Sequence, residues 1–257
     1  MLSLPEAGDY SERKDKNRAT KLRIAQQCAR LVKPGGTIFV DTGTTNLVMA
    51  EALPAELALT VVTNSPEIAA VLVKKPLYDV VILGGQVQRA SGGCVGAAAV
   101  AQVQGMLFDQ GFIGGCAMAP ESGLTGFDYA DCEFKKAVIK QCSEIIVGLT
   151  SDKIPAVARF VVAASSDIDV LVVEETSVAN IALPFSSTIF ASIPCNPLAG
   201  EGGGDKPQAQ RPQHRRGGDV DPPLQPQVDA PRSIGRQHQR HQRYQLTSIR
   251  KLISGTM

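Results

Sequence analysis

Residues 40–51 read VDTGTTNLVMAE, and how this stretch is parsed decides the fold. Upstream, Thr37, Ile38 and Phe39 join Val40 in a short β-branched and aromatic run, the composition of a buried strand. Downstream, residues 46–52 contain good helix formers and no proline. Between the two stand an acid, a glycine and three threonines. A strand that hands over directly to a helix is half of a βαβ unit. In a parallel sheet that junction lies at the carboxyl edge, where ligands bind. Two readings of the junction are open. Thr42 or Thr44 caps a helix, or Gly43 lets the N–H groups of Thr44, Thr45 and Asn46 approach an anion at a helix N-terminus. The stretch matches neither GxxxxGKS nor GxGxxG, so it gives no support to a nucleoside triphosphate or dinucleotide cradle.

Working outward, the same alternation recurs. A helical period runs over residues 17–32 and stops at Pro34-Gly35-Gly36. LALTVVT (57–63) is a strand and SPEIAAVLVKK (65–75) its helix, with Ser65 at the N-cap and Pro66 in the first helical position. DVVILGG (79–85), DQGFIGGCAM (109–118), EIIVGL (144–149) and DVLVVEE (169–175) read as further strands. GAAAVAQVQGM (96–106) and YADCEFKKAVIKQC (129–142) read as helices between them. The pattern predicts an α/β protein with an open, mainly parallel sheet and helices on both faces. Residues 1–15 read as a polar linker remnant and 16–183 as one domain. Residues 184–257 become rich in Gly, Pro, Gln and Arg, and are expected to form a disordered tail because they offer little apolar area to offset ordering.

Charge and composition narrow the chemistry. The formal net charge is +1, but the first 200 residues carry 16 Lys/Arg against 20 Asp/Glu and the remainder 10 against 5. An acidic body gives no reason to expect nucleic-acid binding there. The three histidines (His214, His238, His241) all lie in the tail, which removes histidine triads, HExxH zinc sites and histidine bases from the body. The six cysteines show no CxxC pair. No metal and no cofactor is expected. No signal-peptide core or long apolar run is present, so no membrane partner is expected and a cytoplasmic location is.

Reading the strand ends alone gives a consistent set. Asp41 to Thr45 follow the first strand, Asn64 and Ser65 the second, and Gly84 and Gly85 the third. Gly114, Gly115 and Cys116 follow the fourth, and residues 150–153, ending in Lys153, the fifth. Hydroxyls, an amide, glycines and a lysine suit a small polyhydroxylated anion. On the helix at 129–142, Asp128, Asp131 and Lys135 share a face by i, i+3 and i+4 spacing while Lys136 points elsewhere; a solvated charged face has the same spacing. The Gly-rich SGGCVG (91–96) reads as a plain turn or, as the second reading, a ligand loop.

Six segments then add up. RKDKNRATKLRIAQQCARLVKPGGTIFVDTGTT, TVVTNSPEIA, VVILGGQ, FIGGCAMAPESGLT, CEFKKAVI and EIIVGLTSDKIP occur in the order and spacing of the DeoR family's effector domain, which the chain resembles over roughly residues 10–175. The resemblance implies a fold like that of ribose-5-phosphate isomerase and CoA transferases, a phosphorylated sugar as ligand, a homo-oligomer, and no enzymatic activity. It implies a binding site made of Asp41, Thr42, Gly43, Thr44 and Thr45, with Asn64, Ser65, Gly84, Gly85, Lys135 and Lys153. Operator DNA would be reached only through a winged helix-turn-helix that this sequence does not contain.

Two departures bear on catalysis. Gly115-Cys116-Ala117 stands where the family often has Ala-Asp-Gly, and Leu149-Thr150-Ser151 where it often has Ala-Asp-Ser. Both lose a carboxylate, which leaves Asp41 and Glu133 as the remaining bases and weighs against proton abstraction. The alternatives to a sensing domain are a sugar-phosphate isomerase, or a non-functional truncated regulator whose reading frame slips near residue 175.

Overall fold

The computed structural model describes residues 10–174 and the backbone of a strand at Ile189–Ile193. The rest of the expected tail lies outside the described residues. The chain enters through α1 (Tyr10–Asp15) and α2 (Arg18–Arg30), joined by Asn17 in a left-handed conformation that asparagine tolerates. Residues 10–15, read from sequence as part of a polar lead-in, are therefore helical, and Tyr10 is buried. Next come β1 (Thr37–Val40), α3 (Thr44–Ala52), β2 (Leu59–Thr63), α4 (Pro66–Leu72) and β3 (Tyr78–Ile82). A small antiparallel hairpin, β4 (Val87–Gln88) and β5 (Gly93–Cys94), precedes α5 (Ala97–Gln104) and β6 (Gln110–Ile113). After β7 (Ala117–Ala119) and β8 (Gly123–Gly126) follow α6 (Tyr129–Ile139), β9 (Ile145–Gly148), β10 (Phe160–Ala163), β11 (Val170–Glu174) and β12 (Ile189–Ile193).

The main sheet runs β12-β11-β9-β6-β1-β2-β3, and every neighbouring pair in it is parallel. Strand alternation divides its side chains between two layers. Ile38 and Val40 of β1, Val61 of β2, Ile146 of β9 and Val172 of β11 pack with α2, α3 and α4. Phe39, Val62, Val147, Leu171 and Val173 face the other way, into a core built with α5 and α6. Phe39 anchors that side, its ring centroid 5.4 Å from that of Phe108 and 6.0 Å from that of Phe134. Both faces are covered, which is why the strands read as nearly continuous apolar runs. The expected α/β class, with helices on both faces of a parallel sheet, is what the chain adopts.

The sequence reading departs from the structure in one strand and in a second sheet. DQGFIGGCAM is not one strand: β6 ends at Ile113, and β7 belongs to a separate antiparallel sheet ordered β10-β8-β7. The break falls at Gly114, where an added Cβ would lie 2.7 Å from the Thr42 carbonyl oxygen and 3.0 Å from Asp41 Oδ2. That glycine is there to let two loops touch. The topology also sets where they touch. From β1 the chain winds outward through β2 and β3, then returns to β6 on the other side of β1. The switch point, the crevice between the carboxyl ends of β1 and β6, is where such sheets bind ligands. Among the described residues, no helix is long and apolar enough to cross a membrane.

Candidate functional site

At that crevice the loop after β1 meets the loop after β6. Gly43, at φ 148° and ψ 149°, is the N-cap of α3, and no side chain caps the helix. Of the two capping candidates, Thr44 is the first residue of the helix and Thr42 is used elsewhere: its hydroxyl donates to the Ser91 carbonyl at 2.9 Å, and its N–H donates to Asn64 Oδ1 at 2.9 Å. Asn46 is turned inward, donating from Nδ2 to the carbonyls of Asp41 and Phe112 at 2.9 and 3.0 Å. The first N–H groups of α3 thus open without a protein cap onto a cleft walled by Thr42, Gly43, Thr44, Thr45 and Asn46. A helix end of this kind attracts an anion through its unsatisfied N–H groups and the partial positive charge of the helix.

Asp41 lies directly beneath the loop and is fully buried. Its Oδ2 accepts the Gly114 N–H at 2.8 Å and sits 3.5 Å from Lys135 Nζ. Lys135, on α6, also ion-pairs with Asp131 one turn earlier. The three side chains form a buried group in which two carboxylates share one ammonium, and one oxygen of each acid, Asp41 Oδ1 and Asp131 Oδ1, has no hydrogen-bond partner among the described residues. Burial pushes Asp41 up to about 7, with the Asp131 charge adding to the rise and Lys135 opposing it. Burial alone would lower Lys135, but Asp131 and Asp41 outweigh it and hold the ammonium above its ordinary value. Asp128 caps α6, accepting the Asp131 N–H at 2.8 Å.

Lys153 also lines the cleft and donates to the Gly115 carbonyl at 2.8 Å, and no carboxylate among the described residues lies within ion-pair distance of it. Burial lowers its proton affinity, and the charges of Arg13 and Lys135 add to that. Lys21 is lowered to about 8, first by burial and then by Lys153 and Arg13. The cleft is therefore lined by three cations, Arg13, Lys135 and Lys153, and two carboxylates, Asp128 and Asp131, together with the α3 N-terminus.

Of the residues singled out from sequence, Thr42, Gly43, Thr44, Thr45, Lys135 and Lys153 line this cleft, with Asp41 behind them. Asn46, Gly114, Gly115, Cys116, Asp128 and Asp131 line it as well, whereas Asn64, Ser65, Gly84 and Gly85 lie outside the lining. Asn64 braces the loop and also donates to the Cys94 carbonyl at 3.2 Å; Ser65 caps α4 by accepting the Ile68 N–H at 3.4 Å. Gly84 exchanges hydrogen bonds with the Gln102 side chain at 3.1 Å, and Gly85 packs against Cys94. Glu133, counted from sequence as a possible base, is instead paired with Lys136 at 2.8 Å on the outer surface of α6. Sequence reasoning missed Arg13 and Gln88 as lining residues and preferred a plain turn for the segment that begins at Ser91, because each arrives only by the folding back of α1 and of the β4–β5 hairpin.

The model of the DeoR C terminal sensor domain matches residues 16–175. The Glycerol-3-phosphate regulon repressor of Haemophilus influenzae is 31% identical over 66% of this chain and 66% of its own length. The repressor of the same name from Escherichia coli is 28% identical over 56% and 57%. The chain thus spans less than two thirds of the length of these curated relatives. Among solved structures, ribose 5-phosphate isomerase A from Methanocaldococcus jannaschii is similar at a TM-score of 0.40 and 19% identity, over 54% of this chain and 55% of that one.

Proposed function

The chain belongs to the DeoR C-terminal sensor domain family, and on that premise we propose that it senses a phosphorylated sugar or polyol as part of a transcriptional repressor. The observation that carries this reading is the uncapped α3 N-terminus, which opens onto a cleft shared with Lys153, a lysine without a carboxylate partner among the described residues. The phosphate sits on the Thr44, Thr45 and Asn46 N–H groups and is met by Lys153. The hydroxyls of the ligand turn toward Asp131, Asp128 and Lys135. The unpartnered Asp131 Oδ1 asks for such a donor, since a buried acceptor left unmade costs about 1–3 kcal/mol. Relatives named for the glycerol-3-phosphate regulon support a small phosphorylated polyol as the first compound to test.

Binding, not turnover, is the proposed activity. Asp128 and Asp131, absent from the sequence count of bases, do line the cleft, but Asp128 is committed to the α6 cap and Asp131 to Lys135. Ligand occupancy regulates only to the extent that the ligand binds two conformations of the repressor differently. A thermal-melt panel of glycerol 3-phosphate, ribose 5-phosphate and fructose 6-phosphate, each beside its unphosphorylated parent, tests the reading. A ligand at about 100 times its dissociation constant stabilises by ~2.7 kcal/mol. At least one phosphorylated member should raise the melting temperature while its parent does not. A flat response across the panel, or product formation from any member, contradicts it.

A further inference from the structure

We propose that Arg13 is a ligand-binding residue whose guanidinium meets the same anion as the α3 N-terminus, so that a bound phosphate ties α1 to the sheet. The inference rests on the sensing reading above and adds to it a contact from outside residues 16–175, the part of the chain that the family model matches. Arg13 walls the cleft together with Thr44 and Lys153 because α1 folds back across it. That position is built rather than incidental. The Tyr10 ring packs on Gly92, where a Cβ would come within 3.0 Å of it, and the Tyr10 hydroxyl donates to Glu67 at 3.1 Å. Lys14 pairs with Glu67 at 2.9 Å, Lys16 with Asp152 at 3.3 Å, and Lys21 donates to the Arg13 carbonyl. The guanidinium itself donates to the Ala90 carbonyl and lies 5.7 Å from the centre of the Tyr10 ring.

Arg13 and Lys153 both lie close enough to Lys21 to lower its proton affinity, and Arg13 also lowers that of Lys153. An anion at the α3 N-terminus relieves that repulsion. A guanidinium carries five donors in a planar fork that fits a phosphate bidentately, which an ammonium cannot do. Occupancy then has a mechanical consequence: the segment that leads into the sensor domain is fixed to the cleft through its ligand.

The test uses the full chain and its Arg13→Ala and Arg13→Lys variants. Each is titrated with inorganic phosphate and with the phosphorylated panel and its parents, and amide exchange is followed at residues 10–15. Inorganic phosphate and the binding panel members should slow exchange there in the wild type. Arg13→Ala should bind the phosphorylated compounds roughly tenfold to a hundredfold more weakly, leave the parents unchanged and abolish the slowing. Arg13→Lys should recover part of the affinity, which a packing role alone would not require. Equal phosphate affinity in wild type and Arg13→Ala overturns the inference and leaves the sensing reading standing. A wild type that binds no phosphorylated compound overturns both. Should Arg13→Ala fail to fold, exchange in the wild type decides alone, and absence of slowing refutes the proposal.

Discussion

Gly43 occupies a backbone region that essentially only glycine enters, yet a Cβ built on it would meet nothing within 4 Å. The cost of a side chain there is conformational rather than steric. Gly43→Ala should lower stability by about 1–3 kcal/mol and weaken anion binding, because relief of the strain moves the Thr44 and Thr45 N–H groups. Denaturant melts and phosphate titration check both; full affinity in a folded variant would contradict the loop's proposed role. Lys135 behaves differently from a simple phosphate clamp. Its ammonium serves two buried carboxylates, so Lys135→Ala leaves both without a counter-charge and should cost about 3–5 kcal/mol. A variant as stable as the wild type would deny the buried group its structural weight. Asp41 supplies a pH test. Its folded value is raised to about 7, so between the ordinary carboxylate range and that value the folded protein holds a proton the unfolded chain has released. Stability from this group is therefore present at acid pH and is lost as pH rises through the window. Asp41→Asn cannot titrate, and the stability of wild type relative to it should fall between about pH 4 and pH 7. A constant difference across that range would oppose the shift.

At the scale of elements, one residue separates a brace from a ligand contact. Ser65 was expected from sequence both as an N-cap and as a site residue, and the structure places it on the Ile68 N–H, outside the cleft lining. Ser65→Ala should cost about 0.5–2 kcal/mol of stability without changing ligand affinity; a selective loss of affinity would restore it to the site. The main sheet was legible because β1, β2, β6, β9 and β11 are almost wholly buried and mostly carry their own apolar runs, and because Pro66, Gly43 and the Gly84-Gly85 pair punctuate the helices and strand ends. The small β10-β8-β7 sheet was not legible. GLTG at Gly123–Gly126 shows no alternation, and its pairing is with FVVA at Phe160–Ala163, far along the chain. For the site, local signals revealed the loop and the α6 lysine. Nothing local could reveal that Tyr10 and the β4–β5 hairpin would carry Arg13 and Ser91 to the same cleft, since that follows from long-range packing alone.

At the scale of the whole molecule, the question is where the folded unit ends. The sequence reading closed the domain at residue 183, and the family match ends at residue 175, immediately after β11. Beyond that point β12 pairs in parallel register with β11 from Val170 opposite Ile189 to Glu174 opposite Ile193. β11 is buried along its whole length, with Leu171 and Val173 facing one core and Val170 and Val172 the other. A chain ended at residue 175 would turn this apolar strand into a bare sheet edge. Backbone hydrogen bonds contribute about 0.5–1.5 kcal/mol each, so losing a five-residue ladder removes several kcal/mol from a net stability of roughly 5–15 kcal/mol. The exposed edge would also offer a template for pairing between chains. A chain cut after residue 175 should therefore aggregate or melt well below the intact protein, whereas one cut after residue 200 should melt close to it. Calorimetry and light scattering on the two truncations decide the matter. Equal cooperative melts, with both chains monodisperse, would show that β12 is dispensable and that the folded unit closes at β11.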